Sequence, residues 1–405
     1  MKKRRSEFFS VFFTFALDSL SATIIFPIFV PLFLDPRQGF FLFEISTFWR
    51  NFLLGAFLSA FPLAQFFFAP FLGSYADCIG RKKVLFCSIL TTAIGYFLCA
   101  VGIHFHSLAS LFVGRIITGV GAGNFTVCLA ILADLTANEK KRAQYFSLGS
   151  MLGGLAFVLG PFLGGKLSDN TISSYFSPSF PMLIGSVLSL INSICIFAFF
   201  KETLEIKKQP VFFFTVFKTL KFAFTNKNIA NLYFILFIYF ISWNLLYQFI
   251  PVFILKSYNI TNSSIGNIIS LMGVFWIIGS GVFFHFERRF FSIRNILIFS
   301  FVPFAILSSL TAVPHQLWAN VVIFGFAVLF ASIIWPACMS EISKLTDQSM
   351  QGKVLGLTQS IQSLAMLIAP LLGGVFLIIN PFITFFLSSF LSIVCIIFSL
   401  KIVIK

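Results

Sequence analysis

The chain has 405 residues, 58% of them hydrophobic and only 10% charged, with a mean hydropathy of +0.98. Soluble domains carry about 25% charged residues, so a soluble globular protein is excluded. The net charge of +15 is no nucleic-acid signal, because the positive residues are strung between apolar runs along the whole chain rather than gathered on one segment.

Twelve apolar runs follow one another, at roughly 8–33, 52–75, 84–103, 109–133, 144–167, 182–200, 230–254, 264–286, 295–312, 317–338, 354–378 and 381–400. Each is long enough to cross a hydrocarbon core about 30 Å thick. Lipid offers no partner to a backbone N–H or C=O, so each run is predicted to be a helix. Period-two alternation is absent, which excludes a barrel. Of the 28 Lys and Arg residues, 23 fall on one alternating set of loops and at the two termini. The positive-inside rule then predicts cytoplasmic termini, in the inner (plasma) membrane of a bacterium. The start MKKRRSEFF reads as the flank of an uncleaved first span, since the run behind it is long and carries Asp18.

The longest polar stretch, 201–229, separates an N-terminal half (1–200) from a C-terminal half (230–405). Within it Val211–Phe224 is apolar with Lys218 and Lys221; an interfacial helix and a plain tether both suit that pattern. The halves look duplicated. Gly160-Pro161-Phe162-Leu163-Gly164-Gly165 ends span 5, and Ala369-Pro370-Leu371-Leu372-Gly373-Gly374 ends span 11. Two six-helix halves suit a carrier that rocks about a midplane site, and no filter or charged ring suggests a channel.

Two charges stand inside spans. Asp18 lies in span 1 and Arg115 in span 4. A charge in hydrocarbon costs about 2.5–3.5 kcal/mol even on lenient insertion scales, and marks an ion or substrate pathway. Between spans 2 and 3 the chain reads Gly73-Ser74-Tyr75-Ala76-Asp77-Cys78-Ile79-Gly80-Arg81-Lys82-Lys83. Gly80 suits a tight turn there, and the three cations hold the loop at the membrane face. Arg115 is followed by Gly119, Gly121 and Gly123, and span 4 ends on Ala133-Asp134-Leu135-Thr136. In span 5, Pro161 removes a backbone donor while Gly160, Gly164 and Gly165 admit neighbouring helices closely.

These segments resemble those of the major facilitator superfamily, and within it the tetracycline-efflux and drug–proton antiporter branch. The loop matches GxxxDxxGRKK, span 4 the RxxxGxGxG type, span 5 GPxxGG, and Leu17-Asp18 with Pro27 and Pro31 the span 1 pattern of that branch. The resemblance covers essentially the whole chain. It implies an all-α membrane fold of twelve helices in two pseudo-symmetric halves. It implies proton coupling through Asp18 and Arg115, and a cytoplasmic gate of Gly73, Asp77, Gly80, Arg81, Lys82 and Asp134. It assigns Gly160, Pro161, Gly164 and Gly165 to helix packing in antiport. Lys201-Glu202-Thr203-Leu204, like the PETL ending of span 6 in those relatives, serves here only to support the register.

The C-terminal half departs from the pattern. Glu287-Arg288-Arg289 stands where a second loop motif would fall, and spans 7–12 hold no mid-span acid or His. Tetracycline exporters carry further charged groups there, which sets tetracycline itself apart. Candidate substrate contacts are Asn124 in span 4, Trp243, Asn244, Tyr247 and Gln248 in span 7, Trp335 in span 10, and Gln359 and Gln362 in span 11. The expectation is a proton-coupled exporter of small amphipathic or cationic compounds, not an enzyme. It needs no cofactor beyond the proton gradient, no metal and no nucleic acid, and is expected to work as a monomer in the bilayer. A superfamily carrier for one metabolite, siderophore or nutrient, and a non-transporting receptor, are the other readings.

Overall fold

The computed structural model describes residues 5–135, 139–204, 227–258, 260–313, 316–346, 351–380 and 382–402. The Val211–Phe224 segment lies outside them. Each of the twelve apolar runs is helical over most of its length. Among the described residues, nine helices are by themselves long and apolar enough to cross a membrane; they form spans 2, 3 and 6–12. Spans 1 and 4 are interrupted helices, and the apolar part of span 5 is the shorter helix Leu152–Leu167.

The interruptions have local causes. Span 1 runs as Arg5–Thr23 and then Phe26–Leu34, with Pro27 the second residue of the second piece. Proline has no N–H to offer four residues back, and its ring crowds that carbonyl. Span 7 repeats the arrangement: Lys227–Tyr247, then Ile250–Tyr258, with Pro251 second. Span 4 passes from Leu108–Gly121 through a 3₁₀ turn, Ala122–Asn124, into Phe125–Leu135. Span 8 carries a π-helical turn, Gly279–Phe283, between Asn262–Ile278 and Phe284–Phe290. Two helix starts on the side away from the basic loops are capped by hydroxyls. Ser107 Oγ accepts from Ser110 N–H at 3.3 Å, and Thr261 Oγ1 accepts from Ser264 N–H at 3.3 Å.

The chain forms two compact units. The first holds Met1–Leu32, Pro36–Phe43 and Ala60–Thr215; the second holds Phe33–Asp35, Glu44–Ser59 and Val216–Lys405. The opening turns of span 2 therefore pack as part of the second unit. There Asn51 Nδ2 donates to the Leu377 carbonyl at 3.1 Å, and Ser59 Oγ to the Leu367 carbonyl at 2.9 Å. Between them Gly55 lies so close to span 11 that a Cβ on it would sit 2.6 Å from the Pro370 carbonyl oxygen.

Inside the first unit, Val11, Phe15, Leu85, Ile89, Val127, Ile131 and Ile196 make a fully buried cluster from spans 1, 3, 4 and 6. Inside the second, Tyr239 Oη donates to the Ala331 carbonyl at 2.8 Å. Ser242 meets the hydroxyls of Ser388 and Ser392, each at 3.0 Å. Large apolar side chains such as Phe97, Phe197 and Phe390 point outward, as a lipid-facing surface requires.

Candidate functional site

The most tightly defined polar site closes the basic end of the first unit. Span 2 ends at Ile79 and span 3 starts at Arg81, so one residue makes the turn. That residue, Gly80, has φ +117°, a conformation that side chains rarely adopt. The tight turn delivers Arg81 between two carboxylates. Its Nη1 is 2.6 Å from Asp77 Oδ1, and its Nε is 3.0 Å from Asp134 Oδ2 at the end of span 4. The Arg81 side chain is buried while those of Asp77 and Asp134 are 30% and 27% exposed, so water screens the pairs only in part.

Glu202, just past span 6, belongs to the same network. Its Oε1 accepts the backbone N–H of Arg81 at 2.9 Å and its Oε2 that of Lys82 at 3.2 Å. These are unsatisfied donors of the span 3 N-terminus, where negative charge is favoured. Thr203 Oγ1 reaches Asp134 Oδ2 at 3.4 Å. A Cβ on Gly80 would run into the Glu202 carboxylate. So Gly80 serves the turn and also clears room for the cap. The network ties the ends of spans 2, 3, 4 and 6. Gly73 lies one turn before Asp77, and Lys82 Nζ sits 5.8 Å from the Phe197 ring centroid. Sequence reasoning gave Glu202 no role beyond register; its cap position depends on the chain folding back after span 6.

Deeper in the same unit, Arg115 is buried with its guanidinium carbon 4.7 Å from the Phe61 ring centroid. The glycines that follow it serve different neighbours. A Cβ on Gly119 would strike the Phe61 carbonyl, and one on Gly123 would sit 2.8 Å from Ala69 Cα, both on span 2. On Gly121 it would sit 2.6 Å from the Ser88 carbonyl of span 3. Spacing of four keeps one helix face; spacing of two turns to another. Asn124 is wholly buried at the 3₁₀ turn, and among the described residues neither its carboxamide nitrogen nor its oxygen has a hydrogen-bond partner. Gln65 Nε2 donates to the Ala122 carbonyl at 3.2 Å beside it.

Asp18 lies on the first helix of span 1, five residues before its end; its side chain is outside the described residues. The span 5 motif packs against the interruption that follows. A Cβ on Gly160 would collide with Thr23, and one on Gly164 would sit 2.5 Å from the Ile24 carbonyl oxygen and 3.2 Å from Pro27 Cγ. Thr23 Oγ1 donates to the Ala156 carbonyl at 3.0 Å. Pro161 lies inside the helix and Gly165 is buried.

In the second unit the structure joins some candidates and leaves others apart. Trp243 stacks on Tyr247 (centroids 4.9 Å, 22°) and tilts against Trp276 of span 8 (4.7 Å, 47°). Gln248 Nε2 donates to Asn244 Oδ1 at 2.7 Å. Trp335 is half-buried, with an indole N–H that has no hydrogen-bond partner among the described residues. Gln359 and Gln362 are half-buried on span 11. Trp276 was not among the sequence candidates. Its only signal is a tryptophan three residues before Gly279, where the π turn begins.

The Major Facilitator Superfamily model matches residues 11–290 and 232–404. The class H tetracycline resistance protein of Pasteurella multocida is 28% identical over 329 residues, 78% of each chain. Multidrug resistance protein 2 of Bacillus subtilis is 24% identical over 346 residues, 84% of each. Among solved structures, the human organic anion transporter MFSD10 superposes with a TM-score of 0.71 at 21% identity, over 98% of this chain and 99% of that one. The chain belongs to the major facilitator superfamily: it is an all-helical, multi-pass membrane transporter, not an enzyme.

Proposed function

We propose that the chain is a proton-coupled exporter of small amphipathic or cationic compounds, working by alternating access in the inner membrane with both termini cytoplasmic. The observation that carries this reading is the seating of Gly160 and Gly164 on the interrupted turn of span 1, just beyond Asp18. A helix that bears an acid and is jointed one to two turns beyond it is suited to present that acid to one side and then the other. Asp18 holds the proton in one state and releases it in the other. Arg115 biases that exchange by its charge. The Asp77–Arg81–Asp134 network, capped by Glu202, closes the basic end in part of the cycle. The resistance proteins named above support efflux as the direction.

The test uses purified protein in liposomes with an imposed pH gradient and a panel of cationic dyes. Accumulation against a dye gradient in wild type, abolished in Asp18→Asn with binding retained, is the expected result. No movement of any dye in wild type would turn the reading towards a carrier for one metabolite. Breadth of substrates separates the two.

A further inference from the structure

We propose that Thr23 is a positioning residue for the helix that bears Asp18: its single hydroxyl proton can go to span 5 or back to its own helix, and that choice fixes the joint of span 1. The inference rests on the antiport reading and names what controls the joint of that same site.

Thr23 is 1% exposed and ends the helix Arg5–Thr23. Its carbonyl stands four residues before Pro27, which has no N–H to give it. The break therefore falls on a residue whose side chain has its own choice of bonds. Three carbonyl oxygens lie within reach of Thr23 Oγ1. That of Ala156 on span 5 is at 3.0 Å, and those of Ser19 and Leu20 on its own helix are each at 3.3 Å. A hydroxyl carries one proton, so one of the three receives it. The shortest distance is the one across to span 5. The Leu20 carbonyl already accepts the Ile24 N–H at 2.9 Å. The own-helix alternatives are back-bonds to residues three and four earlier, of the kind that bends helices. In hydrocarbon no water replaces a lost partner, so the hydroxyl always holds one of these acceptors. Passing the proton from Ala156 to Ser19 uncouples span 1 from span 5 and still leaves the hydroxyl satisfied.

The facing surface of span 5 fits this task. Gly153, Ala156, Gly160 and Gly164 follow at three- and four-residue spacing and share one helix face. They meet span 1 in order. A Cβ on Gly153 would sit 3.7 Å from Ser19 Oγ, and one on Gly160 would take the place of the Thr23 hydroxyl and lie 3.3 Å from the Ile24 nitrogen. Small residues let two helices approach closely. The Thr23–Ala156 bond crosses that smooth face and holds the pair at one register. Thr23 acts on Asp18, five residues earlier, through the backbone of the helix they share.

Two variants test this in the full-length protein. Thr23→Val keeps the shape and loses the hydroxyl; Thr23→Ser keeps the hydroxyl. The first measurement is hydrogen–deuterium exchange in lipid nanodiscs, without gradient or substrate, read on the peptide that contains Ile24–Ile28. Thr23→Val is expected to exchange about tenfold faster there and Thr23→Ser within about twofold of wild type, the scale of one hydrogen bond. The second is ethidium–proton exchange in liposomes. Thr23→Val should lower kcat about tenfold with KM within about twofold, and Thr23→Ser should recover most of the loss. If Thr23→Val does not fold, Thr23→Ala replaces it. Wild-type hydrogen exchange in the variant without a hydroxyl overturns the proposal, as does Thr23→Ser behaving like Thr23→Val. A loss that falls on KM instead of kcat, or an unchanged kcat, overturns it too. A wild type that shows the expected hydrogen-exchange contrast but moves no protons in liposomes would overturn the antiport reading alone.

Discussion

Gly164 in the first unit and Gly373 in the second hold matching places in the two proline–glycine motifs, and each lies against the interruption of its unit's first span. What they meet there differs. A methyl on Gly164 would meet backbone, the Ile24 carbonyl at 2.5 Å. A methyl on Gly373 would strike the Phe249 ring, a side chain that is itself fully buried. An added methyl would therefore have to displace main chain at the first joint, and would have to turn a packed ring at the second. The same contrast runs through the polar groups. Aligning Pro251 with Pro27 puts Ser242 at the place of Asp18, and Ser242 is absorbed into a neutral hydroxyl cluster with Ser388 and Ser392. One unit keeps charge in its spans, at Asp18 and Arg115, and the other keeps hydroxyls, amides and aromatic rings. Duplicated helices thus carry unlike side-chain chemistry.

The largest break in this comparison comes from the two motif glycines. Gly164→Ala should lower transport at least tenfold and cost about 1–3 kcal/mol of stability, since backbone cannot yield. Gly373→Ala should lower transport about twofold. Matched dye-efflux assays and thermal melts in the same lipid check both, and equal losses would refute the contrast.

The ion network comes next. Arg81→Ala strands Asp77 and Asp134 without their shared cation. Breaking a buried pair costs about 3–5 kcal/mol, and these half-exposed acids reduce that to roughly 2 kcal/mol. A drop of several degrees in melting temperature is expected, with partial recovery in Arg81→Lys, which keeps the charge but loses the fork. Glu202→Ala removes one cap and should cost about 1 kcal/mol with a loss of transport of about twofold. Glu202→Gln should recover little of it, because the carboxylate accepts N–H groups with both oxygens. The smallest effect is expected for Ser242→Ala: about 1 kcal/mol from lost hydrogen bonds and transport close to wild type. A transport-dead Ser242→Ala would show the second unit's hydroxyl cluster to be part of the coupling.

Much of this was legible in the residues. Apolar run length gave the helices, because lipid forces every run to satisfy its own backbone. The Gly80-Arg81 turn was legible because a glycine before a cation run at a helix junction has few other uses. The joints in spans 1 and 7 were less visible: Pro27 and Pro251 sit inside long apolar runs, where proline can kink a helix or merely begin a new piece. Glu202 and Trp276 escaped because their roles come from neighbours distant in sequence. The direction of the Asn244–Gln248 hydrogen bond needed atomic positions, since an amide reads the same in sequence whichever way it turns.

On the proposed reading, proton coupling resides in the first unit alone. The most direct measurement is proton release on dye binding and dye-driven proton flux in liposomes, comparing wild type, Asp18→Asn and Ser242→Ala. Proton flux lost in Asp18→Asn, with dye binding retained and Ser242→Ala like wild type, is the predicted result. Coupled flux that survives Asp18→Asn would contradict the account.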